Sequence, residues 1–309
     1  MNKKNLILGG VLILLIILAY FYQGPLIKWQ NNLAKSKNIL AKINVVNVDK
    51  IEITSGSETT VLSRPGDVSA GSALPKWKYN NTKDFYVDSS LMAKALEGLS
   101  QAAASEIELI SNNRERKNEF KFDNSGLTIK IYQAGKKIVD FMVGSQASLN
   151  GSYISTAESS ATYLIKVNLL DAFKQSEWRD LTVFSTAKEK INKIRFQYPN
   201  REFTLELKDN KWAGILPEKF SVNQEKVSKI IEIMSSLEAQ EIPEQTFNNT
   251  GLEKHLIIIE AQGDGLNNIL MIGQNKGDLY YAKRGDSDNI YLLEKSIRNE
   301  LDKTIWQLR

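Results

Sequence analysis

The sequence predicts an α+β fold: one N-terminal transmembrane helix followed by two tandem repeats of an antiparallel sheet with packed helices. Three observations predict it. Residues 6–22 form an uncharged apolar run, landmark residues recur in one order at a nearly fixed spacing, and each copy alternates short period-2 segments with one long segment of helical period.

The apolar run is 17 residues long, the lower limit for a helix that crosses a bilayer. Gln23, Gly24 and Pro25 end it, and Tyr20, Phe21, Tyr22 and Trp29 lie where aromatic rings favour the membrane interface. A cleaved signal peptide needs small residues at its cleavage site, and large aromatics follow Ala19 instead, so the run reads as an uncleaved anchor. Lys3 and Lys4 form the short basic tail with which secretory signals begin. Lys28, Lys35, Lys37 and Lys42 flank the other end and by a plain charge count favour the opposite topology, but large domains translocate largely regardless of their charge. The expected arrangement is a single pass through the cytoplasmic membrane, with the soluble body outside the cytoplasm and membrane lipid as the partner of the helix.

The repeat follows from pairs 135 positions apart: Trp77 with Trp212, Val87-Asp88 with Val222-Asn223, Lys94 with Lys229, and Glu106-Ile107 with Glu241-Ile242. Lys50-Ile51-Glu52-Ile53 also resembles Lys193-Ile194-Arg195-Phe196. Further on, Val143-Gly144 answers Ile272-Gly273, while Tyr163-Leu164 with Tyr291-Leu292 and Trp178 with Trp306 share an offset of 128. The implied division is 1–23 (tail and anchor), 24–45 (polar, lysine-bearing juxtamembrane connector), 46–187 (first α+β repeat) and 188–309 (second α+β repeat), with the boundary in the polar stretch 185–190.

Within each copy, strands are expected at 51–54 and 59–63, and at 193–198 and 202–208, each pair followed by a tryptophan strand. A helix follows. After Asp88, an N-cap candidate, Leu91, Met92, Ala95, Leu96 and Leu99 fall on one stripe; after Asn223, Val227, Ile230, Ile231, Met234 and Leu237 do the same. Alternating strands come next at 127–132, 137–143, 153–156 and 162–167, answered by 255–261, 268–272, 279–283 and 289–293, with turn residues such as Ala134-Gly135 and Gly263-Asp264-Gly265 between them. Short closing helices are expected after caps at Asn168 and Ser296. Hairpin spacing without strand–helix alternation indicates antiparallel sheets rather than parallel βαβ units.

Composition restricts function. The 309 residues are 42% hydrophobic and 25% charged, as in ordinary globular proteins. Net charge is +4, and without Lys3 and Lys4 the balance is 38 basic to 36 acidic residues, which lacks the concentrated basic face of a nucleic-acid binder. The absence of cysteine excludes disulfides, thiol catalysis and lipobox acylation. The sole histidine, His255, opens the apolar run 256–259 and has no nucleophile or carboxylate beside it by motif, so it reads as a strand-edge residue. Asp286-Ser287-Asp288-Asn289 resembles part of a calcium loop but lacks the glycine and terminal glutamate at EF-hand spacing, and reads as a hairpin turn. Glu241, Glu244 and Glu253 are scattered without acid–base pairing, and Ala134-Gly135-Lys136-Lys137 lacks the spacing of a phosphate loop. Trp77, Trp178, Trp212 and Trp306, repeated in both copies, read as core rather than as binding hot spots. The sequence offers no catalytic, cofactor-binding or metal-ligating residue.

Ile110-Ser111-Asn112-Asn113-Arg114-Glu115, the stretch 126–131, Val143-Gly144, Tyr153-Ile154 and Thr162-Tyr163-Leu164-Ile165, with Thr250-Gly251-Leu252-Glu253, Ile272-Gly273, the stretch 280–286 and Ile290-Tyr291-Leu292, resemble the DUF4340 family, a domain of unknown function. The closing Trp178-Arg179-Asp180-Leu181 and Trp306-Gln307-Leu308 are typical of it as well. The resemblance implies a bacterial protein with one membrane helix, often encoded beside gliding-type ABC transporters, and it supplies no catalytic residues. The expected function is a non-catalytic, membrane-anchored accessory subunit of an ABC-type transport or envelope complex. It would bind a partner protein, such as the transporter permease, or an exported substrate. The alternatives are a membrane-tethered binding or scaffold protein independent of a transporter, and a hydrolase working through carboxylates.

Overall fold

A computed structural model describes residues 35–36, 38–65, 75–80, 85–123, 125–254 and 257–309. The expected anchor at 6–22 and His255 lie outside the described residues. Among the described residues no helix is long and apolar enough to cross a membrane. The chain divides into two compact units, Met1–Trp178 and Arg179–Arg309.

The first unit runs β1 (Lys35–Ser36), β2 (Val48–Ser55), β3 (Glu58–Ser63), β4 (Lys78–Tyr79), helix α1 (Ser89–Ala104), β5 (Ile107–Ser111), β6 (Leu127–Gln133), β7 (Lys136–Ser148), β8 (Gly151–Ser155), β9 (Thr162–Ile165) and helix α2 (Leu169–Phe173). Its strands form one antiparallel sheet in the order β1-β5-β9-β8-β7-β6-β2-β3-β4. Period-2 patterning decides which face is buried: Ile51 and Ile53 of β2 and Leu127, Ile129 and Ile131 of β6 point inward. Outward-facing Glu52 carries ion pairs to Lys50 at 2.9 Å and Lys130 at 3.8 Å. The inner face packs under α1, whose Met92, Ala95, Leu99 and Ala102 are buried, together with Leu169 and Phe173 of α2. Asp88 caps α1 by accepting from the backbone N–H groups of Ser90 and Leu91 at 2.8 and 2.9 Å, and Asn168 caps α2 by accepting from Asp171 N–H at 3.1 Å.

The second unit runs β10 (Thr182–Ser185), β11 (Ile191–Tyr198), β12 (Arg201–Lys208), β13 (Lys211–Leu216), β14 (Phe220–Ser221), helix α3 (Gln224–Ser235), β15 (Ser236–Glu238), β16 (Ile257–Gly263), β17 (Leu266–Lys276), β18 (Leu279–Arg284), β19 (Ile290–Glu294), and helices α4 (Lys295–Leu301) and α5 (Ile305–Leu308). Its main sheet, β14-β13-β12-β11-β16-β17-β18-β19, repeats the strand order of the first unit, β2 answering β11 and β6 to β9 answering β16 to β19. The strand that answers β5 shrinks to a single bridge between Glu241 and Leu292. Asn223 caps α3 through the N–H groups of Glu225 and Lys226 at 3.0 and 3.2 Å, and Val227, Ile230 and Met234 are buried.

Three expectations are corrected. Leu237 lies on β15 rather than on the helical stripe, because α3 ends at Ser235. β15 pairs with β10, so residues 182–185, placed by sequence in the first repeat, build the second unit. Ser296 is not a cap: α4 starts after Glu294, and Ser296 Oγ donates to its carboxylate at 3.0 Å. The C-terminal part of the polar connector packs into the first unit. Lys35 and Ser36 pair with Glu108 and Ile107 of β5, respectively, Leu40 is fully buried and Ile43 nearly so. Asn38 Nδ2 donates to the carbonyls of Ala102, Ala103 and Ser105 at the end of α1 at 2.7, 3.3 and 2.8 Å, while its Oδ1 accepts from Leu40 N–H at 2.8 Å. One side chain thus serves two of the four carbonyls that a helix C-terminus leaves without an internal donor, together with that of the C-cap residue. We expect Asn38→Ala to cost about 1–3 kcal/mol in the first unit, since buried carbonyls lose their donor. Hydrogen exchange at the end of α1 and tryptic cleavage after Lys42 should both accelerate; unchanged protection would refute the docking.

Candidate functional site

Two concave features that carry charged and aromatic side chains lie in the second unit, where α4 turns into α5. The turn is pinned by the β11–β12 hairpin. Tyr198, the last residue of β11, is 6% exposed; its hydroxyl donates to Leu301 O at 2.8 Å and accepts from Lys303 N–H at 3.1 Å. Asp302, which closes α4, bridges Arg201 at 2.5 Å and Arg298 at 2.6 Å. The Arg201 guanidinium stacks 3.8 Å from the Tyr198 ring centre, and Arg298 lies 5.3 Å from that of Tyr280. These groups, with Gly273, Gln274 and Asn275, surround a pocket of about 380 Å³. Both carboxylate oxygens of Asp302 are engaged by these arginines, which tie the end of α4 to Arg201 of β12.

Burial pushes the Tyr198 phenol up to about 12, against the Lys303 N–H, which favours the phenolate. The folded protein therefore keeps this proton between its ordinary value near 10 and about 12, where the unfolded chain releases it, and stability falls as pH rises through that window. The loss reaches about 2–3 kcal/mol by the top of the window. Urea denaturation at steps from pH 9 to 12 should show a steeper decline for the wild type than for Tyr198→Phe; parallel curves would remove the assignment.

On the other side of the turn is a cleft of about 580 Å³ between α3 and the α4–α5 corner. Lys226, Lys229, Lys303, Arg309, Glu300 and Trp306 line it. Lys226 Nζ donates to the carbonyls of Gln307 and Arg309 at 2.6 and 3.3 Å, and Lys303 pairs with Glu300 at 3.2 Å. Thr304 and Gln307 form a reciprocal capping box that sets the direction of α5 and leaves the Trp306 side chain 82% exposed.

The residues weighed from sequence fall elsewhere. Asp286 and Asp288 sit in the β18–β19 hairpin, engaged by Arg284 at 2.5 Å and Lys283 at 2.9 Å; the hydrogen bond from Arg284 holds the Asp286 carboxyl below its ordinary range. Glu241, Glu244 and Glu253 are exposed, with Glu241 3.7 Å from Lys276. Among the described residues no group of three or more His, Asp or Glu is arranged to hold a metal ion. Gly135 forms a turn whose N–H donates to Asp49 Oδ2 at 2.8 Å. Of the repeated tryptophans, Trp77 and Trp178 are core at 7% and 3% exposure, Trp212 is half-buried, and Trp306 departs from the expectation altogether. The core position beside the helix cap explains the departure. Asp88 N–H donates to Trp178 O at 2.8 Å in the first unit, whereas Asn223 N–H donates to Leu308 O at 2.7 Å in the second. Leu308, fully buried, occupies the place of Trp178. The Arg298–Asp302 pair was legible as an i, i+4 ion pair, but Arg201 is 101 residues from Asp302 in sequence, and no local pattern joins them.

Sheet, helices and cleft define a tandem-repeat α+β protein with a basic, aromatic-bearing cleft in its second unit. The chain belongs to the family described as Domain of unknown function (DUF4340), whose model matches residues 77–242 and again 212–309. The two matches begin at Trp77 and Trp212, the pair that the 135-residue offset joins. No curated protein and no solved structure matches the chain.

Proposed function

We propose that the protein is a non-catalytic, membrane-anchored accessory subunit of an ABC-type transport or envelope complex, which binds a partner protein or exported substrate through its repeated units outside the cytoplasm. The observation that carries this reading is the docking of residues 38–43 into the first unit. Asn38 closes the end of α1, and Leu40 and Ile43 enter the core. The 12 residues 23–34 reach at most about 40 Å when fully extended, which keeps the first unit close to the bilayer and within reach of a permease.

The test is purification of the full-length chain from native membranes in mild detergent, with identification of the copurifying proteins. Near-equal recovery of an ABC permease or ATPase is the expected result, and deletion of the protein should then impair assembly or activity of that transporter. Recovery of the chain alone would replace this reading with a tethered binding protein that works without a transporter.

A further inference from the structure

The internal repeat provides a control for what the second unit has changed. In the first unit Lys94 of α1 reaches Asp171 of α2 at 2.8 Å, so the charge on one helix is neutralised by the other. The offsets of 135 and 128 place Lys229 and Asn299 at the same two positions in the second unit. The lysine is kept and the carboxylate has become an amide. At the same corner the closing tryptophan is 82% exposed instead of 3%. Two independent changes, one of charge and one of apolar surface, thus meet in the one cleft of about 580 Å³.

Its lining carries Lys226, Lys229, Lys303 and Arg309 with Glu300; Glu300 pairs with Lys303 and Lys226 donates to Gln307 O and Arg309 O, which leaves Lys229 and the Arg309 guanidinium facing the cleft. Cations gathered in a concavity raise the local potential and attract an anion, and an uncovered indole leaves a large apolar face in water. The ligand these features fit carries carboxylates next to an apolar or aromatic side chain. A bilayer surface fits less well: membrane-lying helices need an apolar stripe over several turns, whereas α5 has only four residues, of which Leu308 is already buried.

We propose that this cleft binds an acidic peptide segment of a partner protein, with Trp306 stacking on an apolar or aromatic side chain and Lys229 and the Arg309 guanidinium receiving its carboxylates. The proposal rests on the partner-binding reading above and names the surface and the chemistry. Trp306 is the kind of residue that dominates such interfaces, and the lysine contacts should weaken with salt.

The probe is a fluorescein-labelled peptide of alternating glutamate and phenylalanine, titrated into the full-length chain in zwitterionic nanodiscs. A glutamine counterpart of the peptide and anionic lipid vesicles serve as comparisons. Saturable binding of the acidic peptide is expected, with little binding of the glutamine peptide. Trp306→Ala and Lys229→Glu should each weaken it about tenfold or more. Both positions are exposed, and unchanged circular dichroism will show that the variants fold. Lys94→Glu, in the corresponding helix of the first unit, should bind as the wild type does. Absent binding, binding insensitive to both variants, or sensitivity confined to the vesicles would overturn the proposal. Copurification of a permease that survives Trp306→Ala and Lys229→Glu, with no peptide binding, would overturn the cleft and leave the accessory-subunit reading standing.

Discussion

Trp178→Ala destabilises the first unit by about 3–5 kcal/mol, while Trp306→Ala leaves the second unit within about 0.5 kcal/mol of the wild type. Sequence makes these two residues equivalent, at an offset of 128; physically they are not. Trp178 is 3% exposed within the first unit's apolar core, and its carbonyl accepts the N–H of Asp88, the residue that caps α1. Truncating it opens a cavity of indole size at the point where helix and sheet are joined. In the second unit the same bond to the helix cap comes from Leu308, so Leu308→Ala is the change that costs about 2–5 kcal/mol there. Two units need not unfold together, so the measurement is urea denaturation of the full chain with hydrogen exchange read separately in α1 and α3. Equal losses for the two tryptophans would mean that the second unit uses Trp306 as core after all.

The contrast shows what kind of information the sequence carried. Elements whose causes are local were legible. Alternation at Leu127, Ile129 and Ile131 marks β6 because every second residue meets the core, and Asp88, Asn168 and Asn223 mark helix starts because their side chains bond groups two or three residues away. Elements whose causes are distant were not. Residues 24–45 read as a polar connector because lysines and asparagines recur through the stretch, yet Leu40 and Ile43 are buried, and Asn38 finds its acceptors at least 64 residues away. Leu237 kept a helical spacing beyond Ser235, and only the partner strand β10 reveals that the chain has already turned into sheet. The cleft was half legible. The loss of Asp171 at Asn299 can be read by aligning the two copies, but the exposure of Trp306 depends on a two-residue shift, from Trp306 to Leu308, in which residue returns to the helix cap.

Gly144→Ala and Gly273→Ala should each cost about 3 kcal/mol. Glycine to alanine within a strand ordinarily stabilises, by restricting the unfolded chain, so the expected sign is reversed and needs a cause. A Cβ on Gly144 would lie 2.2 Å from Phe120 O, and one on Gly273 would lie 2.2 Å from Thr250 O. Both obstacles are backbone carbonyls, which cannot swing aside as a side-chain end can. Thr250 O also accepts from Gln274 N–H at 2.8 Å, so moving it breaks a bond to the residue next to the substitution. In both units the glycine falls within a break in register, between Val143 and Gln146 on β7 and between Ile272 and Asn275 on β17. The repeated glycine therefore marks where a crossing segment rests directly on the strand, and this shared contact is the physical content of the repeat at this point. Gly265→Ala separates the effects: Gly265 has a φ of +66° and a Cβ there would have nothing within 4 Å, so only backbone strain remains, about 1 kcal/mol. Denaturation midpoints that fall for Gly144→Ala and Gly273→Ala well below that of Gly265→Ala would place the cost in the carbonyl contacts. Three equal midpoints would show that the two carbonyls give way cheaply, since Gly144 and Gly273 have no positive φ to strain.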